Sequence, residues 1–296
     1  LLNQVACPQI NILLGGGYGA SGSRYGMPGT LYLSDAGFYP PVSNILKGGV
    51  LLIEGFDQWS PNSLTVDSGR LILPPGFELN VANDLTISGV GAGLETSNAT
   101  IVVGGDFVVE SLQPSFLYGG VNSSLDVSGS MRVNAGEFHW HGAQDPASLL
   151  RVGADCIVTN NATLSLYASA TNGTSELPGA RAEIGGALIV CTNSWLMPYS
   201  HPTNGGSVFM AAKVVELKSG GGIDADAKGF GAPRWVDPPA STAKSGYGPG
   251  AGSDMTGGGH GGLGGAKSIG VRTGGATNDW ERYPTYPGSG GATYGL

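Results

Sequence analysis

Apolar and polar residues alternate along most of this chain in short runs, and one seven-residue pattern recurs. It consists of an apolar residue, three small or polar residues, and two apolar residues flanking one outward position. Its copies begin at Val81, Val103, Val127, Val152 and Ile184, with a looser copy at Met210. Successive copies are separated by 22, 24, 25, 32 and 26 residues. A strand-rich repeat of this length, too short to be a domain, predicts a solenoid whose turns bury one another's apolar faces.

The alternation predicts an all-β fold, a right-handed parallel β-helix with a glycine-rich C-terminal loop region. Glycine or proline interrupts every window long enough for an amphipathic helix, so helix should be scarce. Stacked copies would form two buried ladders. One ladder consists of Val81, Val103, Val127, Val152 and Ile184, and the other consists of Leu85, Phe107, Met131, Cys156 and Leu188. A flat β-sandwich is the alternative, but it does not require the same corner sequence in each repeat.

The pattern divides the chain into three parts. Residues 1–49 lack the repeat and are predicted to be an N-terminal cap or lead-in, whereas residues 50–223 carry the coils. Residues 224–296 are rich in glycine and are predicted to continue the solenoid as loops.

The glycine-rich part contains Ile223-Asp-Ala-Asp-Ala-Lys-Gly-Phe, Gly257-Gly-Gly-His-Gly-Gly and Gly288-Ser-Gly-Gly. Residues 219–296 thereby resemble a glycine-rich module of large secreted or cell-surface β-helix proteins of bacteria and some protists. The first element departs from that module, since Ala-Lys-Gly-Phe replaces Gly-Lys-Gly-Tyr. The resemblance implies a β-helix in an extracellular setting, and a longer parent chain, but no catalytic residue.

Composition and charge limit the partners of this chain. Charged residues make up 12% of the 296 residues and the net charge is −8, while 53 residues are glycine. Nucleic-acid binding is not expected, because the 14 Lys and Arg residues form no cluster that could meet backbone phosphates. The sequence contains no run of 18 apolar residues, so it predicts no membrane span.

The cysteines and the N-glycosylation sequons bear on the cellular compartment of this protein. The three cysteines, Cys7, Cys156 and Cys191, cannot all pair internally, and Cys156 at an inward position is predicted to be a buried free thiol. A disulfide between two of them stays an alternative. The candidate N-glycosylation sites are Asn98, Asn122, Asn161 and Asn172, each at the end of an apolar run.

The first candidate site is Glu137-Phe-His-Trp-His141. Alternation places Phe138 and Trp140 on one face and Glu137, His139 and His141 on the other. If the aromatic residues are core, the three polar side chains could chelate Zn²⁺ or Cu²⁺. If the rings face outward, they could stack on sugars. Plain packing with exposed histidines is the third interpretation.

The second candidate site lies in the glycine-rich part. Asp224 and Asp226 flank one alanine on a predicted strand, so both carboxylates would leave the same face. They could act as acid and base on a sugar, or hold Ca²⁺, or merely face solvent. Asp254 and His260 could close over the same place. No cofactor is certain from the sequence, and Ca²⁺ is a hypothesis.

Two functions therefore remain after sequence analysis. The first is an extracellular structural or adhesive protein, secreted or at the cell surface, that self-associates into a sheath or filament or contacts neighbouring extracellular proteins. The alternative is a protein that binds or degrades a polysaccharide. An enzyme is the less favoured of the two, because Arg132 and Arg151 stand at outward positions that do not share a register.

Overall fold

The computed structural model describes residues 30–33, 44–47, 50–53, 55–110, 118–119, 123–142, 149–171, 178–232, 245–253, 255–266, 273–279 and 287–292. Every regular element among these residues is a β-strand. The predicted all-β class is therefore confirmed. The described residues also contain no apolar helix of the length that crossing a membrane would need.

Nine strands form the first sheet. In spatial order they are β1 (Thr30–Leu33), β3 (Val50–Ile53), β6 (Arg70–Ile72), β9 (Gly93–Thr96), β12 (Tyr118–Gly119), β15 (Glu137–His141), β18 (Thr163–Tyr167), β20 (Trp195–Tyr199) and β22 (Gly222–Ile223). Neighbours in this order are about one repeat apart in the sequence, which is the signature of stacked coils.

The second sheet has 13 strands. In spatial order they are β2 (Asn44–Lys47), β5 (Leu64–Asp67), β8 (Leu85–Ser88), β11 (Phe107–Glu110), β14 (Met131–Asn134), β17 (Cys156–Thr159), β19 (Ala180–Val190), β16 (Leu150–Val152), β13 (Ser124–Val127), β10 (Thr100–Val103), β7 (Glu78–Val81) and β4 (Gln58–Trp59), while β21 (Val208–Leu217) pairs with β19. Strand β19 runs for 11 residues without a break and pairs with β16 through its first half and β17 through its second. It therefore joins two stacks of strands into one sheet.

Both predicted ladders are present, in parallel register. Val81, Val103, Val127, Val152 and Ile184 are successive partners in one stack. Leu85, Phe107, Met131, Cys156 and Leu188 are successive partners in the other. All ten side chains are buried. A parallel stack whose neighbours are one repeat apart is a parallel β-helix and not a sandwich, so this prediction is also confirmed.

The inward residues of both sheets meet in a common apolar core. The rings of Phe107 in β11 and Phe138 in β15 pack edge to face, with centroids 5.9 Å apart and planes at 68°. Each fully buried side chain of this size contributes roughly 1.5–3 kcal/mol to folding. The core of stacked layers is thus the main source of stability for the coils.

Corner turns between consecutive strands of the second sheet are closed by aspartate side chains. Asp84 Oδ1 accepts a hydrogen bond from the backbone N–H of Asp106, one coil further on, at 2.8 Å. Asp155 Oδ1 accepts in the same way from the N–H of Ala187 at 2.8 Å. These bonds satisfy corner amides that no strand partner serves. The small residues of the repeat leave space for them.

The chain folds as two compact units. The first comprises residues 1–165, 182–196 and 210–222, and contains most of the stacked coils. The second comprises residues 166–181, 197–209 and 223–296, including the glycine-rich part. This grouping is not sequential, because the chain enters the second unit three times. The predicted boundaries at residues 49 and 223 stay predictions.

Candidate functional site

The outer face of β15 carries the first predicted site. Phe138 and Trp140 are buried, so Glu137, His139 and His141 stand on the outer side of the strand, as the alternation predicted. Glu137 Oε2 and His139 Nε2 are 2.9 Å apart and form a hydrogen bond. Burial, and secondly the neighbouring His139, lower the pKa of His141 below its ordinary value of 6.5.

The polar residues of β15 do not make a metal centre. Within the described ranges, no group of three His, Cys, Asp or Glu side chains is arranged to hold a metal ion. The aromatic rings are core and offer no outward platform for a sugar. The outer face of β15 is therefore a polar strand surface, on which Glu137 is hydrogen-bonded to His139.

A ladder of alternating charge crosses the outer face of β13, β16 and β19. Arg151 Nη1 lies 3.2 Å from Asp126 Oδ2, and Arg151 Nε lies 3.9 Å from Glu183 Oε2. Sequence analysis missed this ladder, although each residue stands one position before a Val or Ile of the buried ladder. The three side chains are substantially exposed, so water screens the pairs and each contributes about 0–1 kcal/mol. Arg132 lies in β14 beside Ile157, off this ladder, as its different register predicted.

The second unit contains the other predicted carboxylates, but not on a strand. Strand β22 ends at Ile223, and Asp224 and Asp226 lie in the turn that follows. Asp224 Oδ1 accepts a hydrogen bond from the backbone N–H of Asp226 at 2.9 Å, which turns the chain back on itself. The prediction that both carboxylates leave one face of a strand is therefore wrong. Aspartate competes with strand pairing by bonding to its own backbone.

Lys228 organises this turn. Its Nζ donates to Asp224 Oδ2 at 2.9 Å and to the backbone oxygen of Asp226 at 3.2 Å, and its side chain is only 9% exposed. The hydrogen bond from Lys228, and secondly that from the amide of Asp226, lower the pKa of Asp224 below its ordinary value. Asp224 is consequently ionised at neutral pH. Sequence analysis singled out both aspartates and missed the lysine four residues after the first.

Aromatic rings lie against Lys228. Its Nζ is 5.3 Å from the centroid of the Tyr199 ring. Tyr199 in turn stacks on Tyr167, with centroids 4.4 Å apart and planes at 10°. A cation above a ring face is attracted by the electron density of that face, so the stacked pair helps to hold the ammonium group.

A cleft of about 470 Å³ opens beside this lysine in the second unit. Its polar lining is Ser200, Ser207, Lys228 and His260, and its apolar lining includes Pro198 and Pro287. His260 and Lys228 thus line the same cleft, and Lys228 is paired with Asp224. That His260 closes over Asp224 and Asp226 stays a prediction. Asp254 lies outside the described residues.

His260 carries an uncommon polar atom. Its Nδ1 is buried and has no hydrogen-bond partner among the described residues. The same holds for Nδ2 and Oδ1 of Asn278, whose backbone N–H donates to the His260 carbonyl oxygen at 3.0 Å. Buried polar atoms are hydrogen-bonded in the great majority of cases, so these three atoms are exceptions within the glycine-rich part.

Glycines allow the segments around His260 to approach one another. A Cβ on Gly259 would overlap the carbonyl oxygen of Ala276, and a Cβ on Gly258 would overlap that of Ser289. The backbone N–H of Gly259 donates to the Gly250 oxygen at 2.7 Å. The glycines therefore serve close backbone packing.

Two of the four candidate glycosylation sites can be located. Asn98 and Asn161 are exposed, and both take left-handed backbone angles, with φ of 52° and 62°. Asparagine tolerates this conformation at corner turns. Asn122 and Asn172 lie outside the described residues.

The last strand of the second sheet has an open edge. Among the described strands, β21 pairs with β19 alone. The Lys218 N–H donates to the Val190 oxygen at 2.9 Å, as the Cys191 N–H donates to the Val158 oxygen at 2.8 Å. Leu217 therefore stands over Val190 in the ladder, just as Val190 stands over Val158.

The side chains of β21 continue the buried ladders but are not covered. Val215, two residues before Leu217, stands over Leu188 by the same register. Val215 is 54% exposed and Leu217 is 48% exposed, whereas Leu188 and Val190 are buried. The apolar core of the first unit thus ends in an open layer at β21. We call these two residues the open layer.

No protein-family model, curated protein or solved structure matches this chain. The resemblance of residues 219–296 to the glycine-rich module of surface β-helix proteins stays a prediction. The function is accordingly inferred from the two features with distinct chemistry, the open layer of the first unit and the cleft of the second.

Proposed function

We propose that this chain is an extracellular structural or adhesive protein that self-associates by stacking β-helix ends into a filament or sheath. The observation that carries the proposal is the open layer at β21, where Val215 and Leu217 are about half exposed. Apolar side chains in register with a buried ladder are complementary to one more coil of the same kind.

The backbone of β21 supports the same contact. This strand is 10 residues long and pairs with β19 alone among the described strands. An unpaired edge offers about half of its N–H and C=O groups to an added strand. A second chain could therefore gain both main-chain hydrogen bonds and apolar contact at this edge.

A second copy is the occupant that fits the geometry. The stack under the open layer runs from β19 through β17 and ends at β2, which pairs with β5 alone among the described strands. The β17–β19 and β2–β5 pairs are parallel, so an end-to-end contact of β21 with β2 of another copy would keep the strand direction. A contact between unlike ends does not close on itself and therefore propagates into a filament.

Low charge and exposed sequons favour an extracellular role. Only 12% of residues are charged, so few like-charge pairs would oppose stacking of copies. Asn98 and Asn161 lie exposed at turns, where a glycan would not disturb the strands. Glycans at the corners would leave the strand ends free for assembly.

The alternative of polysaccharide cleavage has less support. Glycoside hydrolysis needs one carboxyl group that is protonated at working pH and a second that is ionised. Asp224 has a lowered pKa and a direct ion pair with Lys228, which is the opposite of what the acid requires. Asp226, the other member of the predicted pair, is exposed on the turn.

Light scattering coupled to size-exclusion chromatography, over a range of protein concentrations, tests self-association, and electron microscopy of the same samples tests for filaments. We expect the wild-type chain to form species that grow with concentration. Replacing both Val215 and Leu217 with Lys places two charges in the open layer and should leave monomers. Because both residues are exposed, the fold should survive, and circular dichroism checks this.

Val90→Lys is the matched control, since Val90 is 57% exposed in the first unit but lies in a turn. It should assemble like the wild type. A wild-type chain that stays monomeric at every concentration would overturn the proposal, and so would equal loss of assembly in the control.

A further inference from the structure

The cleft beside Lys228 has a lining that suits one class of ligand. It combines two hydroxyl groups, those of Ser200 and Ser207, with a histidine, a lysine and two prolines. Small-molecule sites are typically concave and of a few hundred Å³, with a small number of placed polar groups on an otherwise apolar wall. The cleft of about 470 Å³ fits this description.

The charge of the cleft is balanced. The ammonium of Lys228 is paired with Asp224 at 2.9 Å, and Asp226 lies in the same turn. Lys228 is the charged residue among those that line the cleft, and its ammonium is already paired with Asp224, so a charged ligand would find little free charge to bind. A neutral ligand with many hydroxyl groups needs no free charge and can still bond to the ion pair.

The imidazole of His260 lines the cleft, although its Nδ1 is buried and does not face a ligand. A hydroxyl group can both donate and accept, so it suits either tautomer of an imidazole. His260 lines the cleft, and its backbone oxygen accepts from the Asn278 N–H at 3.0 Å, which fixes the loop beside Asn278.

The surroundings of the cleft are rigid. Lys228 is held by Asp224, by the carbonyl of Asp226 and by the face of Tyr199, and Tyr199 stacks on Tyr167. The backbone N–H of Ser200 donates to the Lys228 oxygen at 2.7 Å, so the segments that carry the serine and the lysine are bonded directly. Preorganised polar groups lose little entropy on binding, which favours affinity for a small ligand.

We propose that this cleft binds a neutral sugar residue of a glycan, with His260, Lys228, Ser200 and Ser207 as its polar contacts. The proposal does not rest on filament assembly, because the open layer belongs to the first unit and the cleft to the second. It assigns binding and no cleavage to the site. A structural protein with such a site would attach to the glycan matrix around it.

Saturation-transfer NMR of the full chain tests the proposal. The neutral probes are glucose, galactose, mannose, xylose, fucose and N-acetylglucosamine, together with short β-linked oligomers of glucose, mannose, xylose and N-acetylglucosamine. The acidic probe is an oligogalacturonate. We expect transfer from at least one neutral probe and a weaker or absent signal from the acidic one.

Two variants locate the binding. His260→Ala removes the imidazole but none of the backbone bonds of its loop, and should weaken the affinity for the bound probe about tenfold or more. Leu263→Ala is the control, because Leu263 is 76% exposed in the same segment, and its affinity should match the wild type. Thermal unfolding confirms that both variants fold.

Three outcomes would overturn the assignment. They are no transfer from any neutral probe, transfer from the acidic probe alone, and equal affinity of His260→Ala and the wild type. Loss of binding in the Val215 and Leu217 lysine variant, which leaves the cleft intact, would instead link binding to assembly and contradict their independence.

Discussion

The carboxylate of Asp106 and the backbone of Ser130 are joined across two successive coils, with the Ser130 N–H donating to Asp106 Oδ1 at 2.8 Å. The same oxygen occupies the space that a Cβ on Gly129 would need. The repeat therefore conserves volume as well as polarity from coil to coil: the aspartate of one coil requires a small residue in the next. This relationship explains why small residues precede the inward strand in each copy.

The hydrogen bond between Asp106 and Ser130 predicts a measurable difference in stability between two variants of Asp106. Asp106→Ala removes the acceptor and leaves the Ser130 N–H to water, so the free energy of unfolding should fall by about 1 kcal/mol. Asp106→Asn keeps a side-chain oxygen and should lose less than half of that. Urea unfolding followed by circular dichroism measures both, and equal losses would show that charge, and not the hydrogen bond, closes the corner.

A charge at an inward position of a buried ladder should destabilise the fold far more than a charge at the next, outward position of the same strand. Phe107→Asp buries an unpaired carboxylate against Phe138 and should cost more than about 4 kcal/mol, enough to abolish cooperative unfolding. Val108→Asp, the next residue of β11, faces outward between Thr86 and Arg132 and should fold. Thermal melting of both variants checks this, and a folded Phe107→Asp would show that its side chain is not interior.

Protonation of His141 should oppose folding. Because its pKa is lowered in the folded chain, the unfolded chain binds the proton first as the pH falls below 6.5. Above pH 6.5 the imidazole of His141 is neutral and compatible with the fold. Below that pH the free energy of unfolding declines. His141→Gln cannot be protonated, so its urea midpoint should fall less than that of the wild type between about pH 7.5 and pH 5.5. Parallel pH profiles would contradict this assignment.

The thiol of Cys156 should be unreactive in the folded chain. Burial raises its pKa to about 12, so almost no thiolate exists at neutral pH. Alkylation by iodoacetamide, followed by peptide mass spectrometry, should be roughly three orders of magnitude slower than for an exposed cysteine. Cys191 is also a free thiol and is only partly buried, so it serves as the internal comparison. Comparable labelling of both before unfolding would mean that the core opens readily.

The cysteine result also bears on the sequence analysis. Cys156 was predicted to be a buried free thiol because it takes the inward position of Phe107 and Met131, and the structure confirms this. A disulfide between Cys156 and Cys191 is not formed. Cys7 lies outside the described residues.

Other residues show where the sequence misleads. The alternation past Ile223 predicts a strand at Asp224 and Asp226, but the Asp224 side chain bonds to the Asp226 amide and forms a turn. Local hydrogen bonding by a short polar side chain is invisible to a period-two pattern. The ladder through Asp126, Arg151 and Glu183 is not predicted for another reason. Outward positions can hold polar or apolar residues, and only the register of the strands shows that these three lie side by side.

The repeat by itself determined the parallel β-helix and its buried ladders, because a period of two fixes which side chains face inward and the recurring corner fixes the register of each coil. Only the tertiary structure decided the cleft and the open layer. His260 and Lys228 line the same cleft although they are 32 residues apart in the sequence. The glycine-rich segments between them have no periodic pattern that would predict this. The exposure of Val215 and Leu217 depends on what lies over β21, which no local pattern records.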